Sequence, residues 1–512
     1  MNRTTKTISY ITVILLVSKL FGFVREMVVA GYYGATWQTD AYNMAIGIIN
    51  LFVAVLSMSV ATVVIPMYNH RLVQKSKKEA DAFAGNILCI TSAAYGVLSL
   101  LGIISAPVLI KMFAPSFDAE TAALSLRFIR IMFMFTLFSN AVNFLGAISR
   151  ANKRFFIPSL VSLPVSVSVI FFVTAFSGSM GIYALVAGYI AGTLMQAAMI
   201  ILSLKNIFEF KPMFNFRNGD VKEIVILCLP ILVSIGVDEI NVIVDKILAS
   251  GLVEGSITAM NYATKLRALP HGIITAAVIS VILPMFSRYA AKQDFGGLKN
   301  LAVKSMSGLF AIMLPVTLVC MYFSREIVRI VYERGAFTGE DTIITAHILV
   351  FMIPALFFMG GCQVLNNAFY GMQDTKTPRL GAVIAVIANI ILNIILVRYM
   401  QAAGLALATS IARILNYIIL LIFFRRKCGA FGGKAFLSDI LKCSAAALFM
   451  LPAFMLSGFF RDLLPGFVFL AAASFISLGI YAVLLYILRV SVFIEILNQA
   501  KSFLRKRAEK KQ

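Results

Sequence analysis

Charge is scarce in this chain. Charged residues make up 13% of its 512 positions against 60% hydrophobic, and mean hydropathy is +0.91. That balance excludes an ordinary water-soluble fold and points to an all-α protein that crosses a membrane many times. The apolar runs do not alternate with period two, which argues against a transmembrane β-barrel. Histidine is rarer still: His70, His271 and His347 stand far apart. There is no glycine-rich nucleotide loop, no HExxH and no plausible nucleophile–base pair, so no enzyme is expected. The six cysteines lack metal-ligand spacing and read as small membrane-buried residues. Cations are in excess, with a formal net charge of +22. They fall mostly in short loops between apolar runs, where they set topology and meet anionic lipid, so nucleic acid is not an expected partner.

Fourteen spans are expected, near 8–33, 40–66, 83–110, 121–148, 156–177, 181–204, 223–250, 256–287, 302–323, 341–370, 379–398, 403–424, 436–459 and 465–488. The first is basic at its start, lacks a small-residue cleavage site, and reads as a retained helix. Alternate loops carry the cations: Arg71, Lys75, Lys77 and Lys78, then Arg150, Lys153 and Arg154, then Lys205 and Lys211, and so on to the tail with Lys501 and Arg505. The intervening loops are short and poor in cations, except 324–340, which mixes both signs. The alternation places both termini in the cytoplasm.

The chain also repeats. VVIPMYN (63–69) matches VILPMFS (281–287), and Asp40-Ala41-Tyr42-Asn43 lies opposite Thr258-Ala259-Met260-Asn261, both at an offset of 218. SRANKRFFIPS (149–159) resembles FYGMQDTKTPR (369–379), aligning Pro158 with Pro378, and Gly181 opens its span much as Gly404 does. The expected organisation is a six-helix lobe (1–215), a second (216–427), and helices 13 and 14 with a basic cytoplasmic tail (428–512). An even number of spans per lobe makes the repeats parallel, the plan of an alternating-access transporter.

Within the spans, Lys19, Arg25 and Glu26 occupy the first apolar stretch. A charge at the bilayer centre costs at least ~2.5–3.5 kcal/mol, so such groups face a polar cavity or one another. Lys19 and Arg25 are about 120° apart on a straight helix, and Gly22 between them offers a bend that turns both to one cavity. Snorkelling is the alternative, but Lys19 sits too deep for it. Lys265, in the eighth span, adds a cation from the other lobe, and cations converging from both lobes suit an anionic, phosphate-bearing substrate. Glu26 and Asp40 are acid partners that hold these cations or exchange with substrate. For Asp40, N-capping of its own helix is an equal alternative. Arg127 and Arg130 read as snorkelling as readily as functional. Asp245 and Lys246 can neutralise one another, and Asn389 and Asn393 share a helix face.

SKLFGFVREMVVAGYYGATWQTDAYNMA (18–45) resembles the first-span signature of the MurJ/MviN family of lipid II flippases, within the MATE-like multidrug/oligosaccharidyl-lipid/polysaccharide exporter superfamily. INVIVDKILASGL (240–252), MNYATKLRALPHGI (260–273), ILPMFSR (282–288), RGAFT (334–338) and FYGMQDTKTP (369–378) extend the resemblance over nearly the whole chain. It implies fourteen helices and movement of an undecaprenyl-pyrophosphate-linked peptidoglycan precursor, lipid II, to the outer leaflet of the bacterial cytoplasmic membrane. It further implies that Lys19, Arg25 and Lys265 bind the diphosphate, beside Glu26 and Asp40, with helices 13 and 14 receiving the lipid tail. Some members hold a sodium ion; the matching positions are Asp245, Asn389, Asn393, Leu405 (by its carbonyl) and Thr409. Sodium as a coupling ion is the one cofactor implied.

Three features depart from the family pattern. Lysines stand at 19 and 265 in place of arginines, keeping charge and losing the fork. The second span reads NLFVAVLSMS (50–59), without the arginines many members carry there. Asn393 occupies a position that can be a carboxylate. The function expected is lipid II flipping by alternating access, with anionic lipid at the loops and cell-wall synthases as further partners. The alternatives are a flippase for another polyprenyl-diphosphate glycan, a cation-coupled exporter, or a membrane scaffold.

Overall fold

The computed structural model describes residues 3–216, 219–429, 433–461, 463–495 and 497–498. The basic tail from 501 onward lies outside them. Among the described residues the chain is helical and has no strand. It divides into two compact units, residues 1–259 with 332–341, and 260–331 with 342–512.

The first unit holds α1 (Arg3–Tyr33), α2 (Trp37–Gln74), α3 (Lys77–Phe113), α4 (Ala119–Phe133), α5 (Thr136–Ala151), α6 (Phe156–Leu160), α7 (Ser162–Met180), α8 (Tyr183–Leu204), α9 (Gly219–Ala249) and the first turn of α10 (Ser256–Ala291). Side chains at the helix starts explain where several begin. The Ser76 hydroxyl accepts from Glu79 N–H, and the Asp118 carboxylate from the N–H groups of Glu120 and Thr121. One core joins Val64, Tyr68, Phe83, Ile87, Phe144 and Ile148 with Ile200 and Ile224, so α2, α3, α5, α8 and α9 share it.

The second unit continues α10 and adds α11 (Phe295–Tyr322), α12 (Ser324–Tyr332), α13 (Gly339–Met352), α14 (Ala355–Gly371), α15 (Lys376–Cys428), α16 (Gly433–Leu448), α17 (Met450–Ser457), a 3₁₀ turn (Gly458–Phe460) and α18 (Gly466–Ile487). Its cores are built on Phe286, Met306, Leu309, Phe369 and Phe424, and on Phe323, Met450, Phe454, Phe469 and Tyr481.

Each of the fourteen expected spans falls on a described helix or a pair of consecutive helices. Among the described residues, eight helical stretches are long and apolar enough to cross a membrane, and ten when each of two bent pairs counts as one. α15 contributes two expected spans, and α1, α2 and α9 carry the rest.

The repeat is visible in the backbone. The pair α4 and α5 bends by 47°, and the pair α13 and α14 by 43°. Each bend frees a carbonyl, and a hydroxyl takes it: Ser99 donates to Phe133 O, and Ser410 to Phe351 O. Lys153 and Gln373, an offset of 220, both adopt the left-handed region (φ 59° and 57°) in the turns after α5 and α14. The counterpart of Gly181 is Gln401, not Gly404. Gly181 has φ 54° and ψ −140° between α7 and α8, and Gln401, again 220 residues on, has φ 50° and ψ −133° inside α15. Gly404 serves a different need: its backbone closes on the Leu396 carbonyl, leaving no room for a Cβ.

That backbone region is nearly reserved for glycine and costs other residues about 1–3 kcal/mol. Gln401→Gly is therefore expected to raise thermal stability in detergent, and Gly181→Ala to lower it by about that amount, read as melting of the purified protein.

Candidate functional site

α1 runs unbroken from Arg3 through Gly22 to Tyr33. At 1.5 Å per residue, Arg25 lies about 12 Å and Lys19 about 21 Å from its far end, both within the thickness of a hydrocarbon core. Arg25 Nη2 donates to Glu26 Oε1 at 2.6 Å, with the two side chains 24% and 12% exposed. A guanidinium has five N–H donors, so one short bond leaves the fork able to take a second anion. Tyr42 and Tyr189 stand close enough to Arg25, and Tyr332 to Glu26, to interact electrostatically. Lys19 is exposed and forms no hydrogen bond or ion pair among the described residues. The first apolar stretch thus presents one cation braced by an acid and one that is open.

Asp40 does something else. The N-cap of α2 is Thr36, in extended conformation, with Thr39 Oγ1 accepting from Thr36 N–H at 2.9 Å. The buried Asp40 carboxylate instead accepts from Gly255 N–H (2.8 Å), Thr258 N–H (2.8 Å) and Thr258 Oγ1 (2.7 Å). It caps the start of α10, where the helix dipole and free N–H groups favour an anion. Glu254 returns the favour, accepting from Trp37 N–H at the start of α2 at 2.9 Å. Asp40 and Thr258 are corresponding positions of the repeat, so the two repeats bond through equivalent residues. Gly255 has φ +82°, and its backbone presses so closely on the Ala35 carbonyl that no side chain fits. Asn43 extends the network by donating to Thr258 Oγ1 at 3.0 Å.

The loop holding RGAFT closes against the same end of α1. Ala336 N–H donates to Gly31 O at 2.8 Å, and Tyr332 packs beside Phe23 and Phe337. Lys246 Nζ donates to Asn43 O at 2.5 Å and crosses Gly47. Sequence reasoning missed Gly255, Thr258 and Glu254. The available signal was a Gly-Ser pair just before an apolar helix, together with the repeat offset that set Thr258 opposite Asp40.

In the second unit, Lys265 is half-buried on α10. Asn393 Nδ2 donates to Asn389 Oδ1 at 2.9 Å, both buried, and Thr409 Oγ1 donates to Leu405 O at 3.0 Å. These side chains and that carbonyl present only oxygen donors and two amide nitrogens, and the Asn389 amide nitrogen, buried, lacks a hydrogen-bond partner. Oxygen donors are what a hard monovalent or divalent cation needs, and rotating an amide exchanges its oxygen for its nitrogen. The donor chemistry therefore fits sodium.

The family model described as lipid II flippase MurJ matches residues 29–474. This chain belongs to the MurJ family. It is 30% identical to a probable lipid II flippase MurJ of Rickettsia prowazekii over 83% of its own length and 85% of that protein's. Among solved structures it matches one described as lipid II flippase MurJ in an inward closed conformation, with a TM-score of 0.80 and 26% identity over 95% of this chain and 99% of the other. An inward-facing MATE transporter of the MOP superfamily matches with a TM-score of 0.67 and 13% identity, covering 80% and 94%, a likeness of fold. In this chain the exchanged caps fasten the start of α2 to the start of α10.

Asp40→Ala removes three hydrogen bonds from the start of α10 and is expected to cost about 1–2 kcal/mol, the usual loss of an N-cap. Asp40→Asn should recover part of it. Chemical or thermal denaturation of both variants in one detergent measures the difference.

Proposed function

We propose that this chain moves lipid II from the inner to the outer leaflet of the bacterial cytoplasmic membrane by alternating access. The observation that carries the site is Arg25: a guanidinium inside an apolar helix, partly exposed, held by a single acid. A polyprenyl diphosphate offers oxygens that the guanidinium fork binds in pairs, and Glu26 releases the cation as the diphosphate replaces it. Lys19 supplies a second cation from the same helix, and Lys265 a third from α10. The lipid tail stays in hydrocarbon throughout, so only the headgroup needs a polar environment.

The proposed role involves no covalent step. Both termini face the cytoplasm, where the basic loops meet anionic lipid, and cell-wall synthases are the proposed consumers of the product. Sodium would be held by Asp245, Asn389, Asn393, the Leu405 carbonyl and Thr409, and its gradient would supply driving force. Membrane potential adds ~2.3 kcal/mol per charge and 100 mV. The second reading, another polyprenyl-diphosphate glycan, rests on the absence of second-span arginines.

The deciding experiment is complementation of cells depleted of their own lipid II flippase, scored by lipid II exposed on the outer leaflet. Wild type should rescue. Arg25→Ala, expressed and inserted normally, should lose roughly tenfold or more, since a charge-assisted hydrogen bond contributes about 1.5–3 kcal/mol. Arg25→Lys should fall between. Rescue by Arg25→Ala equal to wild type overturns the site, and failure of well-expressed wild type moves the substrate to another glycan.

Sodium has its own test. Sodium should raise the melting temperature of the purified protein relative to potassium, and Asn393→Asp should enlarge that shift by adding an anionic ligand. An equal response to both ions would remove the site.

A further inference from the structure

After α8, the described residues 205–216 belong to no helix. They run as a strap across α3. Asp81 Oδ2 accepts from Glu209 N–H at 3.1 Å, and Asn86 exchanges two bonds with the Asn215 backbone, at 2.8 and 3.1 Å. Between these clamps the Lys211 carbonyl lies so close to Gly85 that any Cβ would collide. The strap is therefore held in register on one helix face. Its aromatics divide: Phe208 is buried, while Phe210, Phe214 and Phe216 are 50%, 59% and 59% exposed. Phenylalanines interleaved with lysines at the end of a span are what a membrane interface accommodates.

Beneath the strap, between α3, α5 and α8, lies a cavity of about 670 Å³ lined by Leu88, Cys89, Ser92, Ala141, Leu145 and Phe208. Ile201 and Leu202 also line it and are 51% and 69% exposed, so it opens on the outer apolar face of α8. Its volume falls in the range of small-ligand sites, roughly 300–1,000 Å³. α8, 22 residues long, spans about 33 Å, a bilayer's hydrocarbon thickness, so Lys205 after its last residue sits at the interface. Glu209 pairs with Lys211 at 3.2 Å, whereas Lys205, also on the cavity lining, forms no ion pair among the described residues.

We propose that this cavity binds one anionic phospholipid, an acyl chain filling the space between α3, α5 and α8 and the phosphate resting on Lys205. The exposed phenylalanines set the depth of the strap beside it. The site lies within the first unit and stands whether or not lipid II is the transported substrate.

Cys89 on the cavity wall, half-exposed, is a built-in reporter. The full-length protein is placed in nanodiscs of phosphatidylcholine, alone or mixed with phosphatidylglycerol, and its modification by a membrane-permeant maleimide is followed by peptide mass spectrometry. Phosphatidylglycerol should slow labelling of Cys89 by about fivefold, the factor one lysine supports at an anionic surface, and leave Cys320 on α11 unchanged. Lys205→Glu, an exposed position, should abolish the protection. Ala141→Trp, which fills the cavity, should remove the single phosphatidylglycerol retained in native mass spectrometry; if that variant misfolds, Lys205→Glu decides. Equal Cys89 rates in the two lipids, or protection that survives Lys205→Glu, overturns the proposal.

Discussion

A polar group in hydrocarbon has no water to fall back on, and this constraint orders the whole molecule. Where a span breaks, a hydroxyl takes the freed carbonyl, Ser99 at one bend and Ser410 at the other. The buried amides of Asn389 and Asn393 meet each other, and buried Asn86 meets the Asn215 backbone. Arg25 is braced by Glu26, and Lys246 reaches back to a main-chain carbonyl. Lys19 departs from the pattern. That exposed cation, on the same helix as the Arg25–Glu26 pair, is the ground for proposing the substrate site on α1.

Much of the fold was legible because membrane helices announce themselves by length and composition. The repeat was legible as short matched segments, and the backbone carries it further: two similar bends and two pairs of left-handed residues, all near an offset of 220. The pairing of Gly181 with Gly404 went astray for a physical reason. Glycine marks both a left-handed turn and a close backbone approach, and nothing in sequence tells them apart. Here the turn in the second repeat is made by Gln401 under strain, while Gly404 provides clearance beside Leu396.

The candidate site was legible to a different degree at each residue. Arg25 and Glu26 could be paired from sequence because a charge in a span demands a partner and the nearest one is adjacent. Asp40 could not be placed. A carboxylate in the first turn of a helix normally caps that helix, and only the folded chain shows the α10 terminus arriving beside it. Which helix end a carboxylate meets is a tertiary fact. The repeat held the clue, since Thr258 occupies the position equivalent to Asp40.

The exchanged caps also differ in kind from an apolar seam. Between spans in hydrocarbon, lipid tails are as apolar as the side chains they would replace, so an apolar seam is held by close packing and not by exclusion of water. The bonds between Asp40 and the start of α10, and between Glu254 and the start of α2, are polar contacts at helix termini, the first set buried and the second exposed. Their net contribution is roughly 0.5–1.5 kcal/mol apiece, and more where the carboxylate is charged. Such a contact is specific, because it requires a carboxylate, a Thr hydroxyl and a glycine without a side chain in one place. It therefore fixes which helix ends meet, whereas an apolar seam fixes only that helices pack.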